Sequence, residues 1–328
     1  MAARPSVYWP PRETVRPPAR QDRPAPLKAA TRRKLRITAR VRKAVLPAAG
    51  FGTRFLPATK AIPKEILPLV DRPVIQYAVE EAVASGIEQI IIVVGSGTSV
   101  IEEHFDSHPA MERWLEDRGD IELLRAVRRQ SEYGAIAYVR QKEPLGLGHA
   151  ILLAKELVGD EPFAVLLPDD VMVNPGGAPV IAQLMEAHSA HRGSVIAITR
   201  VPPAEASRYG IVRTTRGEGR LWELADVVEK PPVDEAPSDL GVLGRYVLSP
   251  RIFDKLEHTP QGAGGEIQLT DAIRSLIADQ TVYGYQFAGH RYDAGTRIGW
   301  LEANVALALE SDLADDFRAY LRGLDLRD

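Results

Sequence analysis

The segment Gln89–Val94 (QIIIVV) places five β-branched aliphatic residues in a row. So short an apolar run, bounded by turn residues, reads as a strand buried on both faces, and such a strand needs a sheet covered above and below. Lys43–Ala48 (KAVLPA) and Phe163–Leu167 (FAVLL) read the same way, the second ending at Pro168-Asp169-Asp170. Helical stripes separate these runs. Over 74–85 the apolar residues Ile75, Ala78, Val79, Ala82 and Val83 share one face, and Gly86 supplies the stop. The pattern predicts further helices near 109–129, over His149–Val158 and near 178–191, with strands over Ala135–Val139 and Ser194–Arg200. This alternation predicts the α/β class, with a mostly parallel central sheet flanked by helices. Residues 209–249 read instead as several strands with few helices between them, a smaller β-rich part. A helix near 266–279, a strand near 281–287 and a helix near 296–310 follow. Open parallel sheets bind ligands beyond the carboxyl ends of their strands, so the places to search lie after Ala48, Val139 and Leu167.

Charge divides the chain. Residues 1–43 hold 13 Lys/Arg against only Glu13 and Asp22, a net +11, and the remainder is −14. An acidic body does not suit a dedicated nucleic-acid binder. Seven prolines within residues 1–27 predict an extended, unpacked segment, and residues 28–43 form a basic run. The domain plan is therefore a disordered basic arm over 1–42, a folded domain over 43–310 and a C-terminal helical tail over 311–328. The arm reads as a solvated tail, or as translation assigned too far upstream. Weak binding to a polyanion such as nucleic acid is the sharper alternative. It has no apolar core of a secretory signal, and its prolines argue against the amphipathic helix of a transit peptide. No stretch approaches roughly 18 consecutive apolar residues, so no membrane span is predicted. The absence of cysteine excludes a disulfide framework, a thiolate zinc site and a cysteine nucleophile, and it fits a cytoplasmic location.

After the first strand comes Ala48-Ala49-Gly50-Phe51-Gly52-Thr53-Arg54, with Lys60, Lys64 and Glu65 close behind. The two glycines let the backbone approach a ligand, and successive exposed N–H groups form an anion nest. Arg54 can hold two phosphate oxygens at once, while Lys60 and Lys64 add point charges. The loop is not a P-loop, and it lacks the third glycine of the dinucleotide fingerprint, which counts against an NAD-type dehydrogenase. A plain tight turn with solvated cations is the alternative. Asp169 and Asp170 end a buried strand and offer hard oxygen ligands suited to Mg²⁺, or else caps. Gln141, in Arg140-Gln141-Lys142-Glu143-Pro144-Leu145-Gly146-Leu147-Gly148-His149-Ala150, has both a donor and an acceptor with which to read a base edge.

The run AAGFGTRFLPATKAIPKEILP, beginning at Ala48, resembles the signature of the sugar-nucleotide pyrophosphorylases, and the resemblance covers about residues 43–310. Its ATKAIPKE stretch and the RQKEPLGLGHA segment are most similar to members that use UTP and glucose 1-phosphate. The resemblance implies a Rossmann-like nucleotidyltransferase fold with a sugar-binding role for the smaller β-rich part. It also implies Mg²⁺-dependent in-line attack on the α-phosphorus of UTP by glucose 1-phosphate, releasing pyrophosphate. By the same resemblance, Ala48, Ala49, Gly50, Gly52, Thr53, Glu65, Gln141 and Gly146 bind the nucleotide. Gln141 and the Gly146 backbone read the base together with Ala49 and Glu65. Arg54 clamps the β/γ-phosphates and Lys64 sits near the α-phosphate. Glu229 and Lys230, in VVEKP, take the sugar hydroxyls and the sugar phosphate. Gly210 and Asp170 lie on the sugar side, and Asp169 and Asp293 hold the metal. His149 is expected to pack or hydrogen-bond rather than catalyse. The segment GAGGEIQLTDA at 262–272 also fits the family, with its role open. A homo-oligomer, dimer or tetramer, is implied as well. Two competing readings are a sibling enzyme using dTTP or another nucleotide, and a non-catalytic sugar-nucleotide sensor.

Overall fold

In the computed structural model, which describes residues 40–95 and 99–325, the apolar runs become strands of a nine-stranded sheet. In chain order these are β1 (Lys43–Ala48), β2 (Gln89–Val94), β3 (Ala135–Arg140), β4 (Phe163–Leu166), β5 (Ser194–Arg200), β6 (Gly210–Glu218), β7 (Leu221–Glu229), β8 (Leu240–Leu248) and β9 (Val282–Gln286). Their order across the sheet is β3-β2-β1-β4-β8-β5-β9-β7-β6. The β-branched run of β2 divides by period two. Ile90, Ile92 and Val94 join the core on one face with helices Val74–Ala84 and Val180–His191. Ile91 and Val93 join the core on the other, against helices Gly146–Leu152, Arg251–His258 and Leu269–Ile277. Side chains on alternate sides of one strand thus fill both layers, as a continuous apolar run requires.

The sheet is more mixed than a mostly parallel reading allows. β3, β2, β1 and β4 are mutually parallel, as are β5 and β9, but β8 runs antiparallel to both β4 and β5, and β7 antiparallel to both β9 and β6. Seven of the nine strands still point one way. The reversal at β6–β7 follows from the chain itself. Only Gly219-Arg220 joins the two strands, and a two-residue loop can only make a hairpin. The single helix expected near 109–129 is two, Pro109–Arg118 and Ile121–Ser131, parted at Gly119 with φ 75°.

A small ribbon pairs Asp170–Val173 with His290–Asp293, so that Asp170 lies opposite Asp293. Helix Arg297–Ala308 packs on it through Ala303 and Leu307. By contacts the chain divides into a unit of residues 1–37 and one of 38–328. The expected arm thus lies, up to residue 39, outside the described residues, and the expected tail includes helix Ala314–Arg322. No helix among the described residues is long and apolar enough to cross a membrane.

Candidate active site

Strand register brings the functional loops to one rim. Ala48 of β1 pairs with Val94 of β2, and Val94 with Arg140 of β3, so the three strands end level. β4 lies on the other side of β1 and leads into Pro168-Asp169-Asp170. Two clefts of about 470 Å³ each open there. They meet at Arg54, Leu147, Leu167 and Asp169, which line both.

The first cleft is walled by Ala49, Gly50, Gly52, Thr53, Lys64, Glu65, Gln141 and Gly146. Ala48 is 1% exposed, its methyl group in the core beneath that wall. Gln141 is buried, and its amide nitrogen hydrogen-bonds both the Gly146 carbonyl (3.2 Å) and His149 Nδ1 (2.9 Å). With both N–H groups so engaged, Oε1 is left as the acceptor. His149 therefore orients Gln141. Gly146 and Gly148 are required by close approach: a Cβ at Gly146 would stand 2.6 Å from Glu266 Cβ, and one at Gly148 2.6 Å from the Ile267 carbonyl. Lys60 lines a smaller side cleft with Lys142.

Charge concentrates at the junction. Lys64 Nζ lies 2.5 Å from Asp169 Oδ2 and 3.8 Å from Glu65 Oε1. Burial works against the ammonium, but Asp169 and Glu65 outweigh it and hold the Lys64 pKa above its ordinary value. Burial likewise opposes the Asp169 carboxylate, yet Lys64 keeps it below the usual range. Glu65 is 2% exposed, its Oε2 has no partner, and burial pushes its pKa up to about 7. Arg54 Nη1 donates to the Gly295 carbonyl at 3.3 Å.

The second cleft holds Asp170, Gly210, Glu229, Lys230 and Asp293, with Arg208 and Arg291 beside them. Both oxygens of Asp170 are engaged: Arg291 Nε donates to Oδ1 (2.7 Å) and the Gly244 amide to Oδ2 (2.7 Å). Arg291 also lies 3.6 Å from Asp293 Oδ2, and Arg208 3.4 Å from it. Lys230 Nζ is 3.1 Å from Glu229 Oε1. Lys230 has φ 43°, a left-handed backbone that a side-chain-bearing residue adopts at a cost, and its amide donates to the Tyr209 carbonyl at 3.0 Å.

Beneath the junction is a buried ion pair. Arg245, fully buried, donates to Glu81 Oε2 (2.8 and 3.0 Å) and to the carbonyls of Leu167 (3.0 Å) and Asp170 (2.8 Å). It fixes the backbone on both sides of Asp169.

Residues expected from widely spaced segments thus come together: Arg54, Lys64, Asp169, Asp170, Glu229, Lys230 and Asp293 all face one pair of adjoining clefts. Sequence reading missed Arg208 and Arg291, and it left Glu266 and Thr270, in the 262–272 segment, without a role. Arg291 had a signal, because it stands two residues before Asp293 on a strand and so shares its side of the ribbon. A metal also fits. A Cβ at Gly295 would lie 2.9 Å from Asp169 Oδ2 and 3.2 Å from Asp293 Oδ1, so both carboxylates flank a space that only glycine leaves open. No group of three or more metal-ligating side chains occurs among the described residues, and Mg²⁺ typically takes one or two carboxylates together with substrate phosphates.

Residues 43–310 match the nucleotidyl transferase family model. The UTP–glucose-1-phosphate uridylyltransferase of Bacillus subtilis (strain 168) is 50% identical over 286 residues, 87% of this chain and 97% of that protein. The structure of UTP-bound UGPase from Acinetobacter baumannii superposes with TM-score 0.81 at 42% identity, covering 87% of this chain and all of that one. A UDP-glucose pyrophosphorylase complexed with UDP-glucose matches with TM-score 0.75 at 43% identity, over 83% of this chain and all of the other.

Proposed function

This chain belongs to the nucleotidyl transferase family and, within it, to the UTP–glucose-1-phosphate uridylyltransferases, and we infer that it makes UDP-glucose and pyrophosphate from UTP and glucose 1-phosphate. The observation that carries the reading is the pair of clefts meeting at Arg54 and Asp169, each wall supplying cations to an anionic ligand. The first takes UTP, the second the sugar phosphate, and their reacting ends meet at the junction. This supports in-line displacement, for which positioning and charge neutralisation supply most of the catalysis.

The attacking phosphate oxygen is already anionic at neutral pH, so no strong base is needed. In the first cleft Gln141 Oε1, the Gly146 backbone, Ala49 and Glu65 read the uracil, while the loop amides from Ala49 to Thr53 face the phosphates. Ala48 supports that loop from below. Arg54 neutralises the β- and γ-phosphates. Lys64 is held at the junction by Asp169 and faces the α-phosphate. In the second cleft Lys230 orients the attacking phosphate, Glu229 and Gly210 hold the sugar, and Asp170 contributes through Arg291. Asp169 and Asp293 would hold Mg²⁺, and the chemistry the ion would supply when bound is neutralisation of phosphate charge. Removing one well-placed phosphate donor costs roughly 10²–10³ in kcat by analogy with oxyanion-hole groups. The homo-oligomeric state and the cytoplasmic location implied by resemblance and composition belong to the same proposal.

Pyrophosphate release across a matrix of nucleoside triphosphates and sugar 1-phosphates, with and without Mg²⁺, tests it. The expected result is fastest turnover with UTP and glucose 1-phosphate and none in EDTA. A preference for dTTP, or binding without release, overturns it.

A further inference from the structure

The segment from Gly262 to Ala272 has no part in the scheme above, yet it borders both clefts. Its backbone is tied to the base-reading loop: the Ile267 amide donates to Leu145 O and the Gly148 amide to Ile267 O, each at 2.8 Å. Three residues further on, Thr270 lies in the wall of the second cleft and donates its hydroxyl to Glu229 Oε2 at 2.7 Å. Thr270 is held firmly. It is the second residue of helix Leu269–Ile277, whose Leu269, Ala272 and Ile273 are buried in the core, and its β-branch restricts χ1. Gly210 packs beside the hydrogen bond as well. A Cβ at Gly210 would touch Glu229 Oε2 and both Oγ1 and Cγ2 of Thr270, all at 3.4 Å.

A carboxylate that reads sugar hydroxyls must present its lone pairs at a fixed angle, because an O–H donor is directional. Glu229 Oε1 faces Lys230 at 3.1 Å, and Thr270 is the neutral group that fixes Oε2. We propose that Thr270 is a positioning residue for Glu229 and thereby sets which hexose 1-phosphate the second cleft accepts. The inference rests on reading that cleft as the sugar-phosphate site. It also gives the 262–272 segment a function: one strap braces the base-reading loop at Ile267 and the sugar-reading carboxylate at Thr270.

Thr270→Val keeps the shape and removes the hydroxyl, and Thr270→Ser keeps the hydroxyl. Steady-state kinetics with UTP are measured for the full chain, using glucose 1-phosphate and its epimers galactose and mannose 1-phosphate, alongside thermal midpoints. The expected result for Thr270→Val is a rise of about tenfold in KM for glucose 1-phosphate, with a comparable narrowing of kcat/KM between glucose and its epimers. The KM for UTP stays unchanged, and Thr270→Ser returns the wild-type ratios. The proposal is overturned if Thr270→Val keeps wild-type sugar preference. It is equally overturned if all substrates, UTP included, lose activity in parallel and serine fails to restore it. Should the wild-type chain turn over none of the three sugar phosphates, the reading of the cleft itself falls, a result distinct from either.

Discussion

At the scale of single residues, the site is a set of charges that constrain one another's protonation. Glu65 is the clearest case, buried beside Lys64 with one oxygen unpartnered. Burial raises its folded-state pKa from 4.5 to about 7. The folded chain then holds a proton that the unfolded chain releases between those values. Stability present below pH 4.5 is therefore lost as pH climbs through 7, by about 3 kcal/mol in all. Urea unfolding at a series of pH values should show wild type losing that amount relative to Glu65→Gln, whose amide does not titrate. Lys230 makes a different prediction, since it lies in the second cleft and not the first. Lys230→Ala should raise the KM for glucose 1-phosphate sharply and leave that for UTP nearly unchanged, a split read by titrating each substrate against saturating partner. At this scale sequence reading reached Lys64, Asp169 and Lys230 because they sit in continuous motifs. It did not reach Arg208, which lines the second cleft beside Tyr209 and Gly210 but whose pairing with Asp293, 85 residues away, shows only in the fold.

At the scale of elements, the site depends on how a helix start and a strap fit together. The loop entering helix Gly146–Leu152 lies against Glu266 and Ile267 so closely that Gly148 has no room for a methyl group. The atom it would meet at 2.6 Å is a backbone carbonyl, which cannot swing aside. Gly148→Ala should part the two backbone hydrogen bonds at Ile267, cost about 1–3 kcal/mol of stability, and raise the KM for UTP before that for the sugar phosphate. Chemical unfolding and kinetics on the same preparation check both. Legibility at this scale follows burial. Strands covered on both faces announce themselves as apolar runs, and β2 and β5 keep the bounds read from sequence. The Asp170–Val173 ribbon did not, because its partner lies some 120 residues away and neither strand is long enough to show a period. Gly119 between Arg118 and Asp120 was a readable helix stop, overlooked within an otherwise continuous helical pattern.

For the whole molecule, the parallel half of the sheet could be derived from pattern alone, and the antiparallel half could not. Pairing β8 between β4 and β5 is a choice among topologies that local sequence does not make. The meeting of Arg54, Asp169, Lys230 and Asp293 was likewise legible only through resemblance, since each motif taken alone has an ordinary structural explanation. The basic N-terminal segment lies outside the described residues. The B. subtilis relative is matched over 97% of its length by 87% of this chain, and the family model begins at residue 43. The core and both clefts are built from residues of the 38–328 unit. Residues 1–37 carry ten basic side chains and two acidic ones, a charge suited to polyanions and set apart from an acidic body. A chain begun at Thr38 should therefore keep the thermal midpoint and the kcat of the full chain. It should also elute from heparin at much lower salt, because losing each Lys/Arg contact to an anionic group of the polymer reduces counterion release and weakens binding. A fall in kcat on truncation would instead tie the segment to turnover, and unchanged heparin retention would move the polyanion-binding charge onto the folded body.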